Sequence, residues 1–546
     1  MSTVADAVGT ALARLDVTTV FGVVGSGNFH VTNALTAAGA RFVPARHEGG
    51  AAVMADAYAR VTDGLGVVSV HQGPGLTNAM TGITEAAKSR TPMLILAAEA
   101  TAPRSNFRID QAALAEAVGA VPDRITSPST AAADLARAYR TATSERRTVV
   151  LNLPLDVQAA PAPAPFDLPV SPPPAAPEPD AVAIEALADA LSAARRPVFI
   201  AGRGARHAKQ ELNLLSERAS ALLATSAVSR GLFRGNPFNL DVSGGFATPV
   251  AAELIAGADL LVGWGCALNM WTLRHGALVG HDTTVVQVDL DPDALGAHHP
   301  IDLGLVGDAA VTARAVTAEL ERRGHHPAGY RSAKLAERLA REGRWRDVPH
   351  EEQAEPGRID PRTLSAALDD LLPAARTVAV DSGNFMGYPA MYLDVPDPDS
   401  FVFTQAFQSI GLGLATAIGA AVAKPDQLTV AALGDGGALM GISELETAVR
   451  LGVDLLVLVY DDEAYGAEVH HFGPDGYPLD HVTFPPADIA AIGRGFGCAG
   501  VTVRAPDDLA AVADWINGPR DRPLVVDAKV TRGEPSWWLA EAFRGH

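Results

Sequence analysis

Apolar residues along the chain fall into short runs closed by glycine, proline or acidic residues, with amphipathic stretches between them. The runs at 19–24, 41–44, 66–70, 93–97 and 148–153 read as buried strands, and the stretches separating them have helical spacing. The same alternation returns with a helix over 181–194 and strands at 197–201, 260–263 and 284–289. It returns again with strands at 378–380, 428–433 and 455–460 and a helix over 442–451. Strands alternating with helices predict parallel sheets covered by helices, so the fold class is α/β. Val4, Val8, Ala11, Leu12 and Leu15 predict an amphipathic opening helix, and the proline-rich stretch 159–179 predicts an extended boundary segment. Three domains follow, each a mainly parallel sheet covered by helices: 1–165, 180–330 and 356–530. Linkers at 166–179 and 331–355 and a tail at 531–546 complete the division, with a solvated helix predicted near 334–344.

Composition narrows the function. The 546 residues are 48% hydrophobic and 19% charged, which fits a globular enzyme rather than a disordered chain. A formal net charge of −20 argues against a nucleic-acid partner. Cys266 and Cys498 form no CxxC pair, so neither a disulfide framework nor a zinc site is expected. No apolar run reaches the length of a membrane span, and the N-terminus lacks a basic region followed by an apolar core. A cytoplasmic protein without a membrane partner is the default expectation.

The stretch 434–466 carries the chemistry. A buried strand ends at Gly434-Asp435-Gly436-Gly437, and the next ends at Asp461-Asp462. Parallel strands joined by a helix set those ends side by side, where open α/β sheets bind ligands. Two carboxylates and a backbone carbonyl there suit a hard cation such as Mg²⁺. Gly436 and Gly437 let backbone N–H groups approach an anion at a helix N-terminus. The chemical reading is a metal-bridged pyrophosphate.

The stretch resembles the thiamine diphosphate motif, which opens with Gly-Asp-Gly and closes with paired asparagines; the 24-residue gap, 437–460, agrees. The resemblance implies thiamine diphosphate and Mg²⁺ as cofactors, with Asp435 and Asp462 binding the metal by side chain and Ala464 by its carbonyl. It places Gly434, Gly436, Gly437, Tyr465 and Gly466 beside the cofactor. The departure is Asp461-Asp462 in place of the asparagine pair, which adds negative charge at the metal. The segment 46–60 resembles the glutamate segment of the acetolactate synthase-like branch. There Glu48 would bond a pyrimidine nitrogen, favour the imino tautomer and so promote loss of the thiazolium C2 proton. The segment 71–82 resembles the same branch, whereas His71 falls where benzoylformate decarboxylase-like members carry an active-site histidine; Gln72 follows it. Ser26 and His30 are weaker pocket candidates.

By the same resemblance the first domain binds the pyrimidine, the third the pyrophosphate, and the central domain has a nucleotide-fold look. Its Gly202-Arg203-Gly204-Ala205 lacks a third glycine and an FAD-associated segment is missing, so FAD is not expected. Asn269, Trp271 and Arg274 could line the mouth. Gly383 and Asn384 fall on the pyrophosphate side, Gln408 and Ser409 in the cofactor cleft, and Ile410 where a bulky apolar wedge bends the cofactor. Glu468 matches the offset of a catalytic glutamate in pyruvate decarboxylase-like members. Residues 472–486 read as a flap, and the aromatics of 535–543 as a packing or capping segment. The expected activity is decarboxylation of a 2-oxo acid with ligation of the enamine to an aldehyde or second 2-oxo acid. Release of an aldehyde is the alternative; a non-catalytic homologue and a flavin or nicotinamide redox enzyme are further alternatives. The family's two cofactor-binding domains meet across a subunit interface, implying a homodimer or homotetramer.

Overall fold

A computed structural model describes residues 2–164, 166, 168, 175–327 and 329–542. Part of the proline-rich boundary and the end of the tail, including Phe543, lie outside the described residues. Three six-stranded parallel sheets, each flanked by helices, form three domains. The first contains β1 (Thr19–Gly22), β2 (Arg41–Pro44), β3 (Gly66–Val70), β4 (Met93–Glu99), β5 (Val121–Arg124) and β6 (Thr148–Pro154), in the order 2-1-3-4-6-5. The second contains β7 (Pro197–Ala201), β8 (Leu222–Thr225), β9 (Asn239–Val242), β10 (Leu260–Trp264), β11 (Thr284–Asp289) and β12 (Leu303–Val306), in the order 12-11-10-7-8-9. The third contains β13 (Arg376–Val380), β14 (Phe401–Phe403), β15 (Leu428–Gly434), β16 (Leu455–Asp461), β17 (Ala499–Val503) and β18 (Leu524–Lys529), in the order 14-13-15-16-18-17. First and third sheets therefore share one winding.

Most of the buried central strands are the ones the apolar pattern predicts, but β8 and β18, buried along their whole length, are not among them. Edge strands such as β5, Val-Pro-Asp-Arg, escape the pattern because one partner and a wet face tolerate polar residues. The helix predicted over 442–451 is Glu444–Leu451, and a short helix that the pattern did not predict, Asp435–Met440 capped by Gly441, precedes it. The segment predicted as a solvated connector carries a helix, Ala333–Glu342, whose Leu339 is buried in the central-domain core.

In the central sheet the winding reverses between β7 and β10, the position at which α/β sheets form ligand crevices. Here the two strand-end loops are bonded to each other: Gly202 N donates to Trp264 O at 2.8 Å and Gly204 N to Gly265 O at 3.1 Å. The first and third domains share one continuous apolar core. At its centre the Glu48–Thr62 and Gly413–Ala423 helices pack together, close enough that Gly419 abuts the Met54 backbone. Among the described residues no helix is long and apolar enough to cross a membrane.

Candidate active site

Registry of the third sheet builds the first cluster. β15 and β16 pair so that Gly434 lies opposite Tyr460, which brings Asp435 beside Asp461 and Asp462. Asp435 opens its helix and is buried. Burial raises its pKa, and the neighbouring Asp462 and Asp461 carboxylates raise it further. Burial also raises that of Asp462, opposed by the Asn384 side chain and the Ala464 N–H. Asn384 Nδ2 lies 3.5 Å from Asp462 Oδ2, while its Oδ1 is buried without a hydrogen-bond partner. Gly466 is required by close approach: a β-carbon there would strike the Asp462 carboxylate and Asn384. Among the described residues neither Asp435 nor Asp462 has a cationic partner, and no group of three His, Cys, Asp or Glu side chains is placed to hold a metal. Two carboxylates brought together under burial, beside an unpartnered amide oxygen, fit an oxygen-seeking cation.

Asp461 behaves differently. Its carboxylate is ion-paired with Lys529 at the end of β18, and Lys529 also reaches Asp527 at 3.1 Å and Ala487 O at 2.8 Å. The added charge at Asp461 is thus partly offset inside the protein by a lysine that it shares with Asp527. The other Asp461 oxygen accepts from Glu463 N at 3.0 Å, fixing the loop that presents Ala464. Glu463, at φ 58°, is gripped by Arg358 at 2.6 Å and Arg532 at 3.1 Å. A cleft of about 310 Å³ opens beside Asp435, Gly436, Leu439, Met440, Tyr465 and Phe484.

Asp381, at the end of β13, ties this cluster to the 408–412 segment by accepting from Ser382 N, Gly411 N and Leu412 N at 2.8, 3.0 and 3.3 Å. Burial pushes its pKa up to about 6. Gln408 takes a left-handed φ of 62°, Ser409 is partly buried, and Ile410 stands exposed over Gly437. Glu468 lies in the first turn of the Gly466–Phe472 helix, partly exposed. The 472–486 flap is largely exposed but tied down at its far end, where Tyr465 N donates to Val482 O at 2.8 Å and Phe484 N to Glu463 O at 2.9 Å. The tail caps the other side: Ser536 Oγ and Trp538 Nε1 both donate to Asn384 O at 3.1 Å.

The first sheet holds a second cluster. Glu48 opens its helix and accepts from Asn78 Nδ2 at 3.0 Å. His71, following β3, accepts from Gly27 N through Nδ1 at 3.1 Å and meets Phe107 edge-on. Burial lowers its pKa, with the Glu48 carboxylate opposing. A neutral imidazole accepting at Nδ1 carries its proton on Nε2. Gln72 is buried with Oε1 unpartnered, whereas Ser26 and His30 lie exposed. Within one chain no hydrogen bond among the described residues joins this cluster to the Asp435 cluster. Asp381 and Lys529 were missed from sequence. A lysine inside the apolar run Leu524–Lys529 was a signal, since a buried cation needs a paired acid.

Three stacked α/β domains with strand-end loops rich in glycine and acid define a cofactor-dependent enzyme of the three-domain type. The chain matches "Thiamine pyrophosphate enzyme, N-terminal TPP binding domain" over residues 2–118, the central domain over 184–316 and the C-terminal TPP binding domain over 381–528. A probable 2-ketoarginine decarboxylase of Pseudomonas aeruginosa is 35% identical over 91% of this chain and 88% of the relative. A sulfoacetaldehyde acetyltransferase of Rhodobacter capsulatus is 27% identical over 96% and 94%, and a catabolic acetolactate synthase of Raoultella terrigena 28% identical over 96% of each. The chain belongs to the thiamine pyrophosphate enzyme family. It is a thiamine diphosphate-dependent enzyme that cleaves or forms carbon–carbon bonds.

Proposed function

We propose that the protein decarboxylates a 2-oxo acid with thiamine diphosphate and Mg²⁺ and joins the residual carbon unit to a second carbonyl compound. The observation that carries this is the Asp435–Asp462 pair, the first buried and the second partly buried, at adjacent strand ends with no cationic side chain paired to either among the described residues. Asp435, Asp462 and the Ala464 carbonyl would hold the metal. Gly383, Asn384, Gln408, Ser409, Gly434, Gly436, Gly437, Tyr465 and Gly466 would surround the pyrophosphate, and Ile410 would support the bend. The bound cofactor supplies an electron sink for the carbon that loses CO₂. Glu48 presents a carboxyl to the pyrimidine, and Asn78 fixes its orientation. His71 and Glu468 would move protons on the substrate side, and Gln72 would offer hydrogen bonds there.

We take the Asp435 and Glu48 clusters, which no hydrogen bond joins among the described residues of one chain, to meet between two chains, a homodimer at least. Exposed apolar side chains flank both clusters, Phe29 and Phe107 on one and Phe407, Ile410, Leu439 and Met440 on the other. Their exposure in the single chain supports this reading, since a second copy would bury them.

A second reading, release of an aldehyde, is favoured by His71, whose neutral ring is suited to deliver a proton from Nε2. The 2-ketoarginine decarboxylase relative puts a guanidino 2-oxo acid on the substrate panel. Purified protein, Mg²⁺ and thiamine diphosphate incubated with such a panel, with and without aldehydes, separates the readings by product mass. CO₂ with a ligated product supports the first and CO₂ with free aldehyde the second; no CO₂ from any acid refutes both.

A further inference from the structure

Glu444 opens the Glu444–Leu451 helix of the third domain, directly after the Asp435–Met440 helix, and is 3% exposed. A buried carboxylate ordinarily pairs with a cation, yet among the described residues no arginine, lysine or histidine forms an ion pair with it. Its partners are backbone groups of another domain. Oε1 accepts from Arg46 N at 3.1 Å and His47 N at 3.0 Å, and Oε2 from Arg46 N at 3.3 Å. Thr447 Oγ1 donates to Oε2 at 2.7 Å and orients the group. The approach is close enough that a β-carbon on Gly50 would lie 2.5 Å from Glu444 Oε1. Arg46 and His47 are the two residues before Glu48, and their N–H groups precede the helix that Glu48 begins.

We propose that Glu444 is a positioning residue for Glu48: its carboxylate pins the strand-to-helix turn that sets where the Glu48 side chain points. A charge-assisted bond to two successive amides fixes both position and rotation of that turn, which one bond would not do. Loss of the carboxylate leaves both amides of the turn without their protein acceptor, and the turn relaxes as they seek others. The consequence for chemistry rests on the proposed role of Glu48. In a two-chain enzyme it also joins sites: Glu444 follows the metal helix of one site and holds the Glu48 turn of the other.

The test uses the full chain as Glu444→Ala, Glu444→Gln, Thr447→Val and Glu48→Gln. In cofactor-free protein, amide hydrogen exchange over residues 45–49 should accelerate at least tenfold in E444A and less in T447V, with E444Q close to the parent because its amide oxygen still accepts. With Mg²⁺ and thiamine diphosphate bound, H/D exchange at the cofactor C2 should slow at least tenfold in E444A while the cofactor Kd changes less than threefold. E444Q should restore it. If E444A does not fold, T447V must move both readouts in the same direction. Unchanged amide exchange in E444A, or in T447V should E444A not fold, overturns the proposal. So does unchanged C2 exchange in a variant that E48Q nevertheless slows. Unchanged C2 exchange in E48Q itself sinks the role of Glu48 instead and leaves the amide readout to judge the clamp.

Discussion

Charge placement decides most of what single side chains do here. Glu48→Gln keeps the size of the side chain and its contact with Asn78 but removes its acidity. We expect an unchanged melting temperature and C2 proton loss slowed roughly 100-fold or more, measured by quenched-flow NMR. Lys529 is shared by Asp461 and Asp527, so Lys529→Met should strand two buried carboxylates at a cost of about 3–5 kcal/mol in chemical denaturation. Adding Asp461→Asn should recover part of that loss; a double variant no better than the single one would falsify charge compensation. The raised pKa of Asp435 means that its ionisation weakens the metal-free fold as pH rises through the folded-state value. Asp435→Asn lacks this penalty, so its melting temperature relative to the parent should climb with pH without metal. Saturating Mg²⁺ should reverse the order, because the cation is bound by the ionised pair.

Elements carry those side chains by register and by straps. Strands β3, β15 and β16 were legible because burial on both faces writes a continuous apolar run, and the residues after them could be placed at strand ends. Contacts between distant segments were not legible. Nothing near Asn384 announces that Trp538, far along the chain, donates to its carbonyl, and nothing near Arg46 points to Glu444. The short helix Asp435–Met440 was also hidden, since its glycines read as a loop. The capping segment is expected to matter for the site as well as for stability. Trp538→Ala, at a side chain 1% exposed against Phe246 and Tyr388, should cost about 3–5 kcal/mol. It should also weaken thiamine diphosphate binding in calorimetry by releasing the Asn384 loop.

At the scale of the whole molecule, the two clusters belong to domains that share one apolar core within a chain. A mixture of equal parts Glu48→Gln and Asp435→Asn chains, exchanged under dissociating conditions, should regain about a quarter of parental turnover if each site takes one cluster from each chain. Recovery of none would place both clusters of a site in one polypeptide. The shared winding of the first and third sheets has a practical reach beyond this enzyme's own reaction. His71 follows β3 and Asp435 follows the corresponding β15, so equal addresses on twin scaffolds are furnished with different reagents. Laboratory evolution can therefore redraw the short connections on either scaffold to change which acid is accepted, while the framework beneath stays untouched.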